Sequence, residues 1–186
     1  MSSNHCIYPP KDNNNEDKFF KKLEIIGFIC VSIVGTLMHF AYEFFDSNFF
    51  VGLFAPVNES TFEHLKLLLY PMLVYSLIEY FVLNNKGYTN LNSFICAKTI
   101  GIISGIVSIV VLFYTYLGVL GHNVDFINIA IYFIAVLIAF YLSYNITVKN
   151  KQDNHCRLCL LILAIIVILF LLFTIYPADI GLFREP

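Results

Sequence analysis

Apolar residues along this chain neither alternate nor recur with a helical period. They come in long unbroken runs separated by short polar stretches. Five runs stand out, at residues 25–42, 65–83, 99–120, 126–148 and 158–176. Each approaches the roughly 20 apolar residues that a helix needs to cross a bilayer core of about 30 Å. Barrel strands are excluded, because those are shorter and alternate. The pattern predicts an all-α, polytopic transmembrane helical bundle of about five spans, over residues 23–186. Residues 1–22 are polar, ending near the run Asn13, Asn14, Asn15, Glu16, Asp17. They are expected to form a disordered cytoplasmic tail. The first apolar run starts late and is followed by no small-residue cleavage pattern, so it is expected to remain as an anchor.

Composition agrees. Hydrophobic residues make up 59% of the chain and charged residues 13%, with a mean hydropathy of +0.76. A water-soluble domain carries about 25% charged residues. Too little polar residue remains to cover a water-facing surface. The net charge of −2 gives no basic excess, so nucleic acid is not a partner. Lipid is.

The basic residues set an orientation. Lys11, Lys18, Lys21 and Lys22 precede the first run; Lys86 and Lys98 separate the second from the third; Lys149, Lys151 and Arg157 separate the fourth from the fifth. Only Lys66 and Arg184 fall on the other side. The positive-inside rule then places the amino terminus in the cytoplasm and the carboxyl terminus outside the cell membrane. Cys6, Cys96, Cys156 and Cys159 come out cytoplasmic, with Cys30 in the inner half of the first span. Disulfides are not expected in that compartment. His155 with Cys156 and Cys159 has the outline of a metal knuckle, but a single CxxC reads first as ordinary thiols.

With orientation set, the candidate chemistry gathers at the outer face. His39 and Glu43 are four residues apart and would share a helix face. Asn58, Glu59, Glu63, His64 and Lys66 open the second span. His122, Asn123 and Asp125 occupy the outer turn between the third and fourth. The candidate metal ligands are therefore His39, His64 and His122, holding a zinc-like divalent ion. Glu59, Glu43 and Ser60 are the candidate catalytic groups, with Asn58, Glu63, Lys66 and Asp125 around them. Three protein ligands would leave a position for a water. Local roles compete with this. Ser60-Thr-Phe-Glu63 fits a capping box. Lys66 can extend its charge outward to the headgroups. Asp125 can sit at the start of the fourth helix. His39, within the span, is expected to face the bundle interior. His39, Glu43, Glu59 and His64 are expected to converge, since a short connection makes the first two long helices antiparallel neighbours.

Other features bear on packing. Residues 44–59 hold Phe44, Phe45, Phe49, Phe50, Val51, Leu53 and Phe54. A connection that apolar is expected to pack on helix ends or lie at the headgroup level, as a lid or an anchor. Gly101 and Gly105 make a GxxxG step for close packing within the bundle. Pro71 should kink the second long helix and free a carbonyl near Leu67. Glu79 is expected near Lys86 or Lys98.

The segments His39-Phe-Ala-Tyr-Glu43 and Val51-Gly-Leu-Phe-Ala-Pro-Val-Asn-Glu-Ser-Thr-Phe-Glu-His-Leu-Lys66 resemble the signature of a family of small bacterial membrane proteins of unknown function. Tyr116-Leu-Gly-Val-Leu-Gly121 with Asp125, and Phe173-Thr-Ile-Tyr-Pro177 with Leu182-Phe183, extend the likeness over nearly the whole chain. The resemblance implies a five-helix fold and a membrane location, and no activity. A looser likeness, resting on Ser60, His64 and His39, is to the membrane hydrolases that include the alkaline ceramidases. That superfamily has seven helices and a late histidine pair that this chain lacks.

Three functions fit these observations. The first is a metal-assisted hydrolase or transferase at the outer face. The second is a transporter or an ion- or proton-handling protein, with Glu79 inward and His39 with Glu43 outward. The third is an accessory subunit whose outer face docks a partner membrane protein or a second copy.

Overall fold

The computed structural model describes residues 13–87, 91–149 and 156–185. Its elements are α1 (Asn13–Met38), two short helices α2 (Ala41–Phe44) and α3 (Phe49–Gly52), then α4 (Thr61–Asn85), α5 (Leu91–Leu120), α6 (Asp125–Lys149) and α7 (Cys156–Ile175). A 3₁₀ turn at Gly181–Phe183 follows. No strand occurs among the described residues. The helix α1 begins at Asn13, so residues 13–22, expected in the polar tail, continue the first helix instead. Residues 1–12 lie outside the described residues.

Among the described residues, four helices are long and apolar enough to cross a membrane: Thr61–Asn85, Ser93–Leu120, Asp125–Val148 and Cys156–Ile175. At 1.5 Å per residue, they reach roughly 30–40 Å. The helix α1 differs from them because Lys21, Lys22 and Glu24 enter its apolar stretch.

The first half of α4 is the centre of the packing. Leu65, Leu68, Leu69 and Met72 are essentially inaccessible, and they meet Val31 of α1, Ile102 of α5 and Val136 and Phe140 of α6. The GxxxG step lies between α5 and α6. A Cβ on Gly101 would stand 2.6 Å from the Ala139 carbonyl oxygen, and one on Gly105 would stand 3.1 Å from the Ala139 Cβ. The step is thus architecture inside the bundle. By contrast, α7 buries only Phe170. Phe170 and Phe183 clamp Phe62 at ring distances of 4.9 and 4.5 Å, which seats the C-terminal turn beside the start of α4.

The outward faces are apolar too. Ile29, Ile33 and Leu37 of α1, Val74, Leu77, Ile78 and Phe81 of α4, and Ile165, Ile168 and Leu172 of α7 all stand exposed. A helix apolar on both faces suits a bilayer, where lipid covers what water would not.

The cysteines depart from expectation. Cys96 of α5 and Cys159 of α7 form a disulfide, with Cα atoms 5.2 Å apart. Facing turns of two packed helices brought them together, which spacing alone did not reveal. Cys159 is thereby removed from any knuckle with Cys156, and His155 lies outside the described residues. Cys30 and Cys156 are free.

Candidate metal centre

The site forms where α1 ends and α4 begins. The last turn of α1 carries its hydrogen bonding one step further, with the His39 amide donating to the Gly35 carbonyl (3.2 Å). Helical geometry then breaks at His39 and Phe40 and restarts at Ala41. That break separates Glu43 from His39. Glu43 sits exposed on α2 and is not part of the cluster, because the shared helix face assumed an unbroken helix.

Between α2 and α4 the chain is pinned by buried charge. Lys66 does not extend to the headgroups. It is fully buried and donates to the Gly52 carbonyl (2.9 Å) and to Glu63 Oε2 (2.6 Å). The same Glu63 oxygen accepts the Val57 amide at 2.9 Å. The carboxylate thus ties the connection to α4 rather than closing the reciprocal half of a capping box. The other half is present: Ser60 Oγ accepts the Glu63 amide, and Asn58 Oδ1 accepts the Ser60 amide. Ser60 is buried at the N-cap, where its hydroxyl is committed to the helix start. Ala55 and Pro56 are buried, and Phe54 packs edge-on against Tyr70 at 5.1 Å. Phe44, Phe45, Phe49 and Phe50 point outward instead. Residues 44–59 therefore pack on the helix ends while presenting a phenylalanine surface.

Glu59, at the end of this pinned segment, stands between two imidazoles. Its carboxylate lies 3.3 Å from His64 Nε2 and 3.9 Å from His39 Nε2. The two rings are 5.2 Å apart. One ligand atom from each of the three falls within 4.8 Å of the others. The His64 Nδ1 faces the Ser60 carbonyl at 2.9 Å. That contact puts the proton on Nδ1 and leaves the Nε2 lone pair toward Glu59, the arrangement that orients metal-binding histidines. The buried Nδ1 of His39 has no hydrogen-bond partner among the described residues, so its ring can present either nitrogen. Ligand atoms on a tetrahedral ion with bonds of about 2.0–2.2 Å stand roughly 3.3–3.6 Å apart. The trio is close to that spacing and needs only a small closure.

His122 does not join them. It is exposed in the turn after α5, with Nδ1 against the Leu120 carbonyl at 3.1 Å. Its neighbour Asp125 does reach the site. A cavity of about 80 Å³ beside His64 is lined by Glu59, Thr61, Asn123, Asp125, Asn128 and Tyr132, among others. Its far wall is braced by Tyr116, whose hydroxyl bridges Asn123 and Asn128. Tyr132 closes the floor, donating to the Val31 carbonyl (2.9 Å) and the Leu67 carbonyl (3.3 Å). Leu67 is the acceptor that Pro71 leaves without its helical donor. Gly35 allows this approach, since a side chain there would run into the Tyr132 hydroxyl and the Leu67 oxygen.

Asn128 and Tyr132 went unnoticed in the sequence, and Tyr116 and Thr61 figured there only in the signature segments and the capping box. Asn128 and Tyr132 had a visible signal, being polar groups at i and i+4 in an otherwise apolar helix start.

A single family model spans residues 12–186. The chain belongs to DUF6512, a family of unknown function. No curated protein and no solved structure matches it. For this DUF6512 member the chemistry must therefore come from the cluster itself: two imidazoles, one carboxylate and a cavity of mixed polar and apolar walls at one end of a helical bundle.

Proposed function

We propose that the chain is a multi-pass membrane protein that binds a zinc-like divalent ion through His39, Glu59 and His64 and performs hydrolysis or group transfer at that end of the bundle. The observation that carries this reading is the convergence of the three ligands, from two helix ends and a pinned loop, beside a cavity that Glu59 and His64 line. Two histidines and one carboxylate are the donor set of catalytic rather than structural zinc sites. Such an ion polarises a substrate oxygen and lowers the pKa of a coordinated water to about 7. The chain's own residues supply the rest. The Ser60 carbonyl orients His64. Asp125, on the cavity wall and outside the ligand set, is the carboxylate placed to accept a proton. Asn123 and Asn128 offer amides to a polar substrate group.

The membrane reading rests on the four apolar helices and their exposed apolar faces. The helix α1 makes a fifth span once Glu24 is neutralised inside the bundle by Lys98. Discounting the buried Lys66 and Lys98, the basic residues still divide eight to one. This division of charge supports a cytoplasmic amino terminus and an extracytoplasmic metal site, whereas the Cys96–Cys159 disulfide, which that orientation puts at the cytoplasmic end, weighs against it. Phe44, Phe45, Phe49 and Phe50 then lie at headgroup depth.

Metal analysis of protein purified without a histidine tag tests the proposal. About one equivalent of divalent metal is expected in the native chain and in His122→Ala, with loss in His64→Ala and His39→Ala. Retention of metal in both of the latter variants, or none in the native chain after reconstitution with zinc, would overturn it.

A further inference from the structure

At the opposite end of the bundle lies a second polar cluster, built entirely from buried groups. Lys98 of α5 holds Glu24 of α1 at 2.8 Å and Glu79 of α4 at 2.7 Å. All three side chains are at most 5% exposed. Along α4, Glu79 is 15 residues from His64, about 22 Å by helical rise. The two clusters are therefore separate sites.

The charges do not balance. Two carboxylates share one ammonium, and among the described residues no other cation pairs with them. Nor are the carboxylates equivalent. Glu24 is saturated, with Oε2 on Lys98 and Oε1 accepting the Ser143 hydroxyl at 3.0 Å. Glu79 meets Lys98 through Oε2 alone, without hydrogen-bonding geometry, and its Oε1 has no partner. Around the ammonium stand the rings of Phe140 at 4.8 Å, Phe94 at 5.3 Å and Tyr75 at 6.0 Å. These rings stabilise a cation and exclude the water that would otherwise solvate a surplus anion.

We propose that the Glu24–Lys98–Glu79 cluster is a proton-binding site that holds one exchangeable proton on Glu79. Two carboxylates forced into one dry site do not both stay ionised unless the charge is matched. One proton makes the cluster neutral. Glu79 takes it, because its bare Oε1 is the lone pair that nothing else satisfies. The other groups facing the cluster do not supply the charge. The helix α1 adds the exposed Cys30 thiol. The helix α4 adds the Tyr75 hydroxyl, which donates to the Leu23 carbonyl. The helix α6 adds only neutral Ser143. The nearest part of α7 is the disulfide-bonded Cys159, whose carbonyl meets Thr99. Tyr80 and Tyr144 pack one layer out, on Phe94 and Phe20. Release of the proton exposes a buried negative charge between α1, α4 and α5, so proton exchange is coupled to the contact among those helices.

Infrared difference spectroscopy of the full chain in lipid, scanned from acid to alkaline pH in water and deuterium oxide, tests this. The native protein should show the carbonyl stretch of one protonated, buried carboxylic acid at neutral pH. That band should shift in deuterium oxide and vanish at alkaline pH. Glu79→Gln should remove it. Glu24→Gln should remove it too, since Glu79 then has Lys98 to itself. The His64→Ala variant should keep it, which separates this site from the metal centre. Absence of the band in the native protein at every pH would overturn the proposal, as would its persistence in a folded Glu79→Gln variant. Should the variants fail to fold, the titration of the native protein alone decides.

Discussion

The Lys66 ammonium shows what a single buried charge does here. It holds Gly52 and Glu63, and Glu63 holds Val57. Removing it leaves a carboxylate buried and unpaired. Lys66→Ala should therefore destabilise the protein by about 3–5 kcal/mol, read as a lower unfolding midpoint in detergent. Glu63→Gln/Lys66→Met should recover part of that loss. If Lys66→Ala unfolds like the native protein, the pin is not structural. The sequence indicated that Lys66 lies at a span boundary but not which way it turns. Direction depends on a carbonyl 14 residues upstream, in a connection whose path no periodicity describes. His39 and His64 were legible because ionisable groups in apolar runs have to face inward. Glu43 was misplaced because one break in helical geometry rotates everything after it.

Among the elements, α7 is held most lightly. It buries one side chain and is tied to α5 by the Cys96–Cys159 bond. Cys96 and Cys159 should resist alkylation in the denatured, unreduced protein, whereas Cys30 and Cys156 should react. Mass spectrometry of alkylated peptides checks this, and modification of Cys96 without reductant would remove the bond from the account. The existence of the long helices was plain in the runs of apolar residues but their extent was not, since α1 starts at Asn13 and α5 at Leu91, before their apolar runs begin. Pairing between helices was not, because a fully apolar helix carries no stripe to say which side is in. The exceptions were the first two long helices, neighbours by their short connection, and the glycines. Gly101 and Gly105 marked the α5–α6 contact, since only a missing side chain lets two backbones approach so closely. A Gly105→Leu change should disrupt that contact, with an overpacking penalty of about 1–3 kcal/mol or more, measured by thermal unfolding in detergent.

For the whole molecule, the distribution of basic residues and the exposed apolar faces make a topology that can be checked with the chain's own thiols. In intact cells a membrane-impermeant maleimide should miss Cys156, while a cysteine introduced at Ser47, beside the outward phenylalanines, should label. Labelling of Cys156 and protection of position 47 would invert the orientation and move the metal centre to the cytoplasmic face. That choice rests on the distribution of Lys and Arg. Within the buried charge cluster, Glu79 was expected near Lys86 or Lys98 and meets Lys98, but the part played by Glu24 was not readable, because nothing local in the first helix names the other two.

The separation of those partners has a consequence for how the chain is made. Glu24 and Lys98 are 74 residues apart. At about 5–20 residues per second, the second follows the first from the ribosome by roughly 4–15 s. Throughout that interval the first helix holds an acidic side chain without the buried ammonium that pairs with it in the folded protein. The first long helix is thus expected to settle only after the third has arrived, waiting until then at the translocon or the membrane surface. Nascent chains arrested before residue 98 should leave the first helix extractable by alkaline carbonate, and chains arrested well beyond it should not.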